Sequence, residues 1–113
     1  MQLHHLALRT CDVERLVAFY RRVFDLLVVR EGPHGSGRSV WLGLEHGVLM
    51  IEPAAEDEPL IDPRSLELVA FRVDLARRAH IEARVTVEDR TEHTIYFPAP
   101  DGRHLAVATP PLL

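Results

Sequence analysis

The sequence predicts an α+β fold in which one strand-helix-three-strand module occurs twice. Three observations carry this. A helical stretch with one apolar stripe follows an opening strand-like segment. Three strand-like segments follow that helix. After a proline-rich break the order begins again: Leu66–Val73 (LELVAFRV) overlays Leu3–Thr10 (LHHLALRT), so that Leu66 falls on Leu3, Ala70 on Ala7 and Arg72 on Arg9.

In the first segment Leu6 and Leu8 share one parity, and Leu3, His5 and Ala7 the other, as a strand requires. Asp12 stands where a helix N-cap belongs. Beyond it Val13, Leu16, Val17, Tyr20, Val23 and Phe24 recur at three- and four-residue spacing, an apolar stripe that must be buried. Each large side chain in it contributes about 1.5–3 kcal/mol on burial. Asp25 follows, a residue type that tolerates the left-handed conformation of a helix exit. Leu26–Arg30 reads as the second strand, and Gly32, Pro33, Gly35 and Gly37 as a flexible connection. Ser39–Leu44 and Val48–Glu52 read as two strands joined by the turn Glu45-His46-Gly47.

Pro53, Pro59 and Pro63 and the acidic run Glu56-Asp57-Glu58 mark an irregular, solvated linker. The chain thus divides, as one domain, into module one (1–53), a linker (54–65) and module two (66–113). In the second module Val69 and Phe71 repeat the apolar parity of Leu6 and Leu8. Asp74 caps a shorter helix, Leu75–Arg84, whose inward face is mostly alanine. Val85–Arg90, Glu92–Phe97 and His104–Thr109 supply three more strands, the last two separated by Pro100-Asp101-Gly102.

One helix covers only one face of a four-stranded sheet. Two such sheets joined side by side give a curved mixed sheet, a half-open barrel with helices outside and a hollow inside, and small ligands bind in such hollows. A ferredoxin-like sandwich is the competing architecture. It has fewer strands per module, and the three segments after the first helix argue against it.

Composition excludes several function classes. At 113 residues there is room for one core. Net charge is −4 with histidines neutral and there is no long Lys/Arg run, so nucleic acid is not an expected partner. No apolar stretch reaches the length of a membrane span. Met1 leads straight into a strand-like segment, and Cys11 is the one cysteine; both predict a cytoplasmic protein. Cys11 precedes the helix cap but has no identifiable base, and reads as a small buried residue.

The opening LHHLALRTCDVERLVAFYRRVF resembles the first strand and helix of the vicinal-oxygen-chelate superfamily of glyoxalases, bleomycin-resistance proteins and extradiol dioxygenases. IYFPAPDGRHLAV resembles its closing hairpin, and with VLMIEP and LELVAFRV the resemblance covers nearly the whole chain. It implies the two-module fold, a homodimer, and a divalent cation held by side chains of the first and last strands of each module. Carried over residue by residue, the first module's ligands fall on His5 and Glu52. The second module departs from the pattern, because its positions fall on Leu68 and Ala106, neither of which binds a metal. Such a site normally needs three protein ligands.

Three readings follow. His5 and Glu52 form a hydrogen-bonded ion pair in a metal-free pocket; or His104, which shares a face with Ala106, completes a His5, Glu52, His104 set for Zn, Ni, Mn or Fe; or a partner chain supplies a ligand. The expected ligand pocket comprises His5, Trp41, Glu52, Leu68, Tyr96, His104 and Ala106. Glu52, as a base, and Tyr96, at the position where extradiol dioxygenases carry a substrate-orienting tyrosine, are the catalytic candidates. The extradiol iron triad itself would need donors at Leu68 and Ala106. Trp41 is either a stacking wall or a core contact. Arg9 and Arg72 either hold an anionic ligand or pair with nearby acids, the second being favoured. His4, by parity, reads as structural, and His34, His46, His80 and His93 as solvated. The leading function is small-molecule binding of the bleomycin-resistance kind. The alternatives are a metal-dependent lyase, isomerase or epimerase acting on vicinal oxygens, and a protein-interaction module.

Overall fold

The computed structural model describes residues 1–59 and 61–110; Leu60 of the expected linker and the end of the second module, 111–113, lie outside the described residues. The chain divides into two compact units, Met1–Leu60 and Ile61–Leu113.

The first unit runs β1 (His5–Thr10), α1 (Val13–Phe24), β2 (Val28–His34), β3 (Gly37–Gly43) and β4 (Val48–Pro53). Its sheet is open and mixed in the order β1-β4-β3-β2, with β1 parallel to β4 and the other pairs antiparallel. Asp12 caps α1 by accepting from the Arg15 N–H at 3.1 Å, and Asp25 ends it in the left-handed conformation with φ 55°. Of the stripe foreseen from the sequence, Leu16, Val17, Tyr20, Val23 and Phe24 are buried, Val13 at the first turn is only half-buried, and Phe19 joins the buried face. It packs on the sheet face carrying Leu8, Val40, Leu42, Leu49 and Ile51, all essentially inaccessible to solvent. The alternation of strand side chains then puts His5, Ala7, Arg9, Trp41, Met50 and Glu52 on the opposite, helix-free face.

The glycine- and proline-containing stretch expected as a flexible connection is instead the end of β2 and a tight hairpin. Pro33 is tolerated because β2 is an edge strand, where a missing N–H breaks no ladder. Gly35, with φ 58°, supplies the positive φ that a two-residue hairpin turn requires at its first central position. Gly47 is needed for two reasons: its φ is 97°, and a Cβ there would lie 2.7 Å from the His4 carbonyl oxygen.

The second unit repeats the plan with β5 (Leu68–Arg72), α2 (Leu75–Glu82), β6 (Asp89–Arg90), β7 (Thr94–Pro98) and β8 (His104–Ala108) in the order β5-β8-β7-β6. The repeat is in register, since β5 begins at Leu68, the position overlaid on His5, the first residue of β1. Asp74 caps α2 through the Arg77 N–H at 2.7 Å. Two expected elements are shorter than foreseen. The helix ends at Glu82 with Ala83 as its cap, and β6 is reduced to two residues. Both lie at the margin of the unit: Ile81 is the one buried residue of α2, and β6 is an edge strand that little apolar surface holds in place. A backbone bond from the Glu88 N–H to the Tyr96 carbonyl, 2.8 Å, continues its pairing by one step. Described residues 54–67 form turns and no helix or strand, as the prolines imply.

Candidate functional site

On the helix-free face of the first unit, register sets the neighbours. Arg9 lies beside Glu52 on the parallel pair β1–β4, and Ala7, Met50, Trp41 and Arg30 form one row across four strands. The Arg9 guanidinium bridges two carboxylates: its Nε donates to Glu58 at 2.8 Å and its Nη1 to Glu52 Oε2 at 3.3 Å. His34 Nε2 lies 3.9 Å from the same Glu52 oxygen. The Glu52 side chain is only 15% exposed, so its charge is balanced largely from within the protein. The Ala55 N–H and, after it, Arg9 hold the Glu58 carboxyl below the usual carboxylate range, and Glu58 in turn raises the Arg9 guanidinium. Arg30 sits 5.0 Å over the ring of Trp41, a cation–π contact not foreseen from the sequence.

The ion pair expected between His5 and Glu52 does not form. His5 is the register partner of Val48, four positions along the strand from Glu52, or about 13 Å at the rise of a β-strand. Side chains stand nearly perpendicular to a sheet, so two residues on one face meet only when they are register neighbours. Parity alone gave the face; the register gives the partner, and the partner is Arg9. His5 Nδ1 instead meets His4 Nδ1 at 2.8 Å.

In the second unit the helix-free face carries the row Asp89, Tyr96, Ala106 and Ala70, with Pro98, His104 and Leu68 in the next row. Beside these lies an open pocket of about 280 Å³, lined by side chains including Leu66, Leu68, Glu88, Asp89, Tyr96 and His104. His104 Nε2 lies 2.8 Å from the Pro63 carbonyl oxygen. A carbonyl only accepts, so Nε2 is the donor in this contact. Ala106 is fully buried and does not line the pocket.

Of the expected pocket residues, Leu68, Tyr96 and His104 come together here, whereas His5, Trp41 and Glu52 belong to the first unit. Ser65, Leu66, Glu88 and Asp89 were missed. The signal for Asp89 was present: a hairpin closing around Thr91–Thr94 places it directly opposite Tyr96. Nothing in the linker composition points to Ser65 or Leu66 as wall residues.

A family model described as the Glyoxalase/Bleomycin resistance protein/Dioxygenase superfamily matches residues 2–111. The chain belongs to this superfamily. Solved structures agree on the fold. The fosfomycin resistance protein FosX of Mesorhizobium loti is 22% identical with a TM-score of 0.80, the match covering 98% of this chain and 93% of that one. A glyoxylase/bleomycin resistance protein/dioxygenase domain of Frankia sp. EAN1pec is 14% identical with a TM-score of 0.80, covering 96% and 91%. The E126Q mutant of FosX from Listeria monocytogenes, complexed with Mn(II) and 1S,2S-dihydroxypropylphosphonic acid, is 18% identical with a TM-score of 0.76, covering 95% and 90%. No curated protein matches the chain.

Membership in the glyoxalase superfamily raises the question of a divalent ion. The donors present do not fit one. Glu52 is held by Arg9, His5 Nδ1 meets His4 Nδ1, and His104, with Nδ1 uncommitted, is a lone donor in the second unit beside Leu68 and Ala106. Leu68 and Ala106 offer no donor atom. Among the described residues no group of three His, Cys, Asp or Glu side chains converges on a point. No helix among them is long and apolar enough to cross a membrane.

Proposed function

We propose that this member of the glyoxalase superfamily binds a small organic molecule in the pocket of its second unit without using a metal. The observation that carries the reading is the pairing of an open, leucine-lined hollow beside Tyr96 and His104 with apolar residues at Leu68 and Ala106. In that arrangement Tyr96 and His104 orient the ligand by hydrogen bonds, and Leu66 and Leu68 contribute apolar contact. Glu52, fixed by Arg9, is a structural charge and not a base. The reading includes a homodimer, as the sequence resemblance implies, and a cytoplasmic location, as the single cysteine implies.

Thermal-shift screening of the untagged full chain against small organic molecules tests it. Ligands should raise the melting temperature in a concentration-dependent way, unchanged by a chelator and abolished in Leu68→Arg, which fills the hollow from a half-exposed position. Binding that requires one stoichiometric divalent ion, lost in His5→Ala, would overturn the reading in favour of a metal-dependent enzyme.

A further inference from the structure

The connection that leads into β5 forms one side of the second unit's pocket, through Ser65 and Leu66, yet few bonds attach it to that unit. Within residues 61–66 the hydrogen bonds are local. The Ser65 N–H donates to the Asp62 carbonyl at 2.9 Å, and the Arg64 N–H donates to the Asp62 carboxylate at 2.9 Å. The Arg64 guanidinium pairs with the same carboxylate at 3.3 Å, and Ser65 Oγ accepts from the Glu67 N–H at 3.2 Å. Among the described residues, one hydrogen bond runs from this segment to the rest of the second unit beyond Glu67. It is donated by His104 Nε2 to the Pro63 carbonyl, at 2.8 Å.

Packing does not make up for the missing bonds. Asp62, Pro63 and Arg64 are exposed, and Leu66, although a pocket wall, leaves 96% of its surface in water. A segment with so few buried contacts opens at a lower free energy than the strands beside it. The other end of the contact is fixed. His104 begins β8, an interior strand, where it is the register partner of both Leu68 and Pro98. Pro63 has no N–H, so its carbonyl is the one backbone group by which it can be held.

We propose that residues 61–66 are a flap on the pocket and that His104 is its latch. This rests on the ligand-binding reading above and assigns to that site its means of entry and release. With the latch made, Ser65 and Leu66 stand as a wall; with it broken, the wall is free to move away. A molecule lying on Leu66 and Leu68 covers apolar surface that the protein leaves wet, so it favours the latched position and leaves when the latch opens. In this role His104 is a positioning residue that acts through Pro63.

Tryptic cleavage of the ligand-free full chain after Arg64, whose side chain is 89% exposed, reads the opening by mass spectrometry. When opening and closing are fast, the cleavage rate follows the open population. His104→Ala should raise that rate about three- to tenfold, the weight of one exposed hydrogen bond. His104→Gln, which keeps an N–H donor, should stay nearer the wild type. Glu58→Gln, which frees the start of the same connection from Arg9, should leave the rate unchanged. No rise in His104→Ala, or an equal rise in Glu58→Gln, would overturn the latch. Hydrogen exchange of the wild type needs no variant: the Ser65 amide should exchange well before that of Leu105 in β8, and equal protection of the two would overturn the flap.

The ligand arm uses 2-phenylethanol as its probe. At saturation it should slow exchange of the Ser65 and Leu66 amides in the wild type and not in Leu68→Arg. Calorimetric binding of the probe without that protection would overturn the flap and leave the pocket reading standing. Protection that persists in Leu68→Arg would overturn the pocket reading itself.

Discussion

Arg9 and Glu52 are register partners on the parallel strands β1 and β4 and also an ion pair, with Arg9 Nη1 3.3 Å from Glu52 Oε2. The same guanidinium reaches Glu58, so one cation on β1 ties the end of β4 to the start of the connection that follows it. His5, on the same face, takes no part.

Double-mutant cycles separate these two relationships. Arg9→Met and Glu52→Gln should show coupling well beyond the error of additivity, because each removes the other's partner. His5→Ala and Glu52→Gln should be additive, as expected of residues four register positions apart. Urea unfolding of the wild type, the three single variants and the two double variants measures both.

Stability should fall in acid through two exposed carboxylates. Glu58 is held below its ordinary value by the Ala55 N–H and then by Arg9, and Glu14 chiefly by the hydrogen bond from Arg38. A carboxyl depressed in the folded state stabilises the fold above its unfolded value, near 4.5 here, and loses that contribution as pH falls through the folded value. The wild-type melting temperature should therefore drop between about pH 5 and about pH 3. Glu58→Gln and Glu14→Gln should each flatten that drop; a steeper drop in either would contradict the assignment.

Gly47→Ala should cost about 1–3 kcal/mol, measured by urea unfolding. Its φ of 97° disfavours a side chain, and the new Cβ would meet the His4 and Leu3 carbonyl oxygens at 2.7 and 2.8 Å. Gly35→Ala is the comparison: its φ is also positive, at 58°, but no atom lies within 4 Å of the added carbon. It should cost less, about 1 kcal/mol.

The second helix is anchored at one point. Ile81 is fully buried, whereas Leu75 is 67% exposed. Ile81→Ala should destabilise by about 2–5 kcal/mol, and Leu75→Ala by no more than about 0.5 kcal/mol. Equal effects of the two would mean that α2 docks through a different face.

The sequence by itself determined the modules and their faces. The stripe from Leu16 to Phe24, the caps Asp12 and Asp74 and the repeated parity of Leu68–Arg72 are local patterns with local causes: helical spacing, N–H groups needing an acceptor, and alternation along a strand. That Leu68 and Ala106 carry no donor atom was likewise legible, since it is a matter of side-chain type alone. Partners across strands were decided only by the tertiary structure. Pairing register depends on turn geometry and on how each sheet seats on its helix, and a period-two pattern fits any register of the right parity. That is why the sequence could put His5 and Glu52 on one face yet not reveal that the side chain beside Glu52 is Arg9.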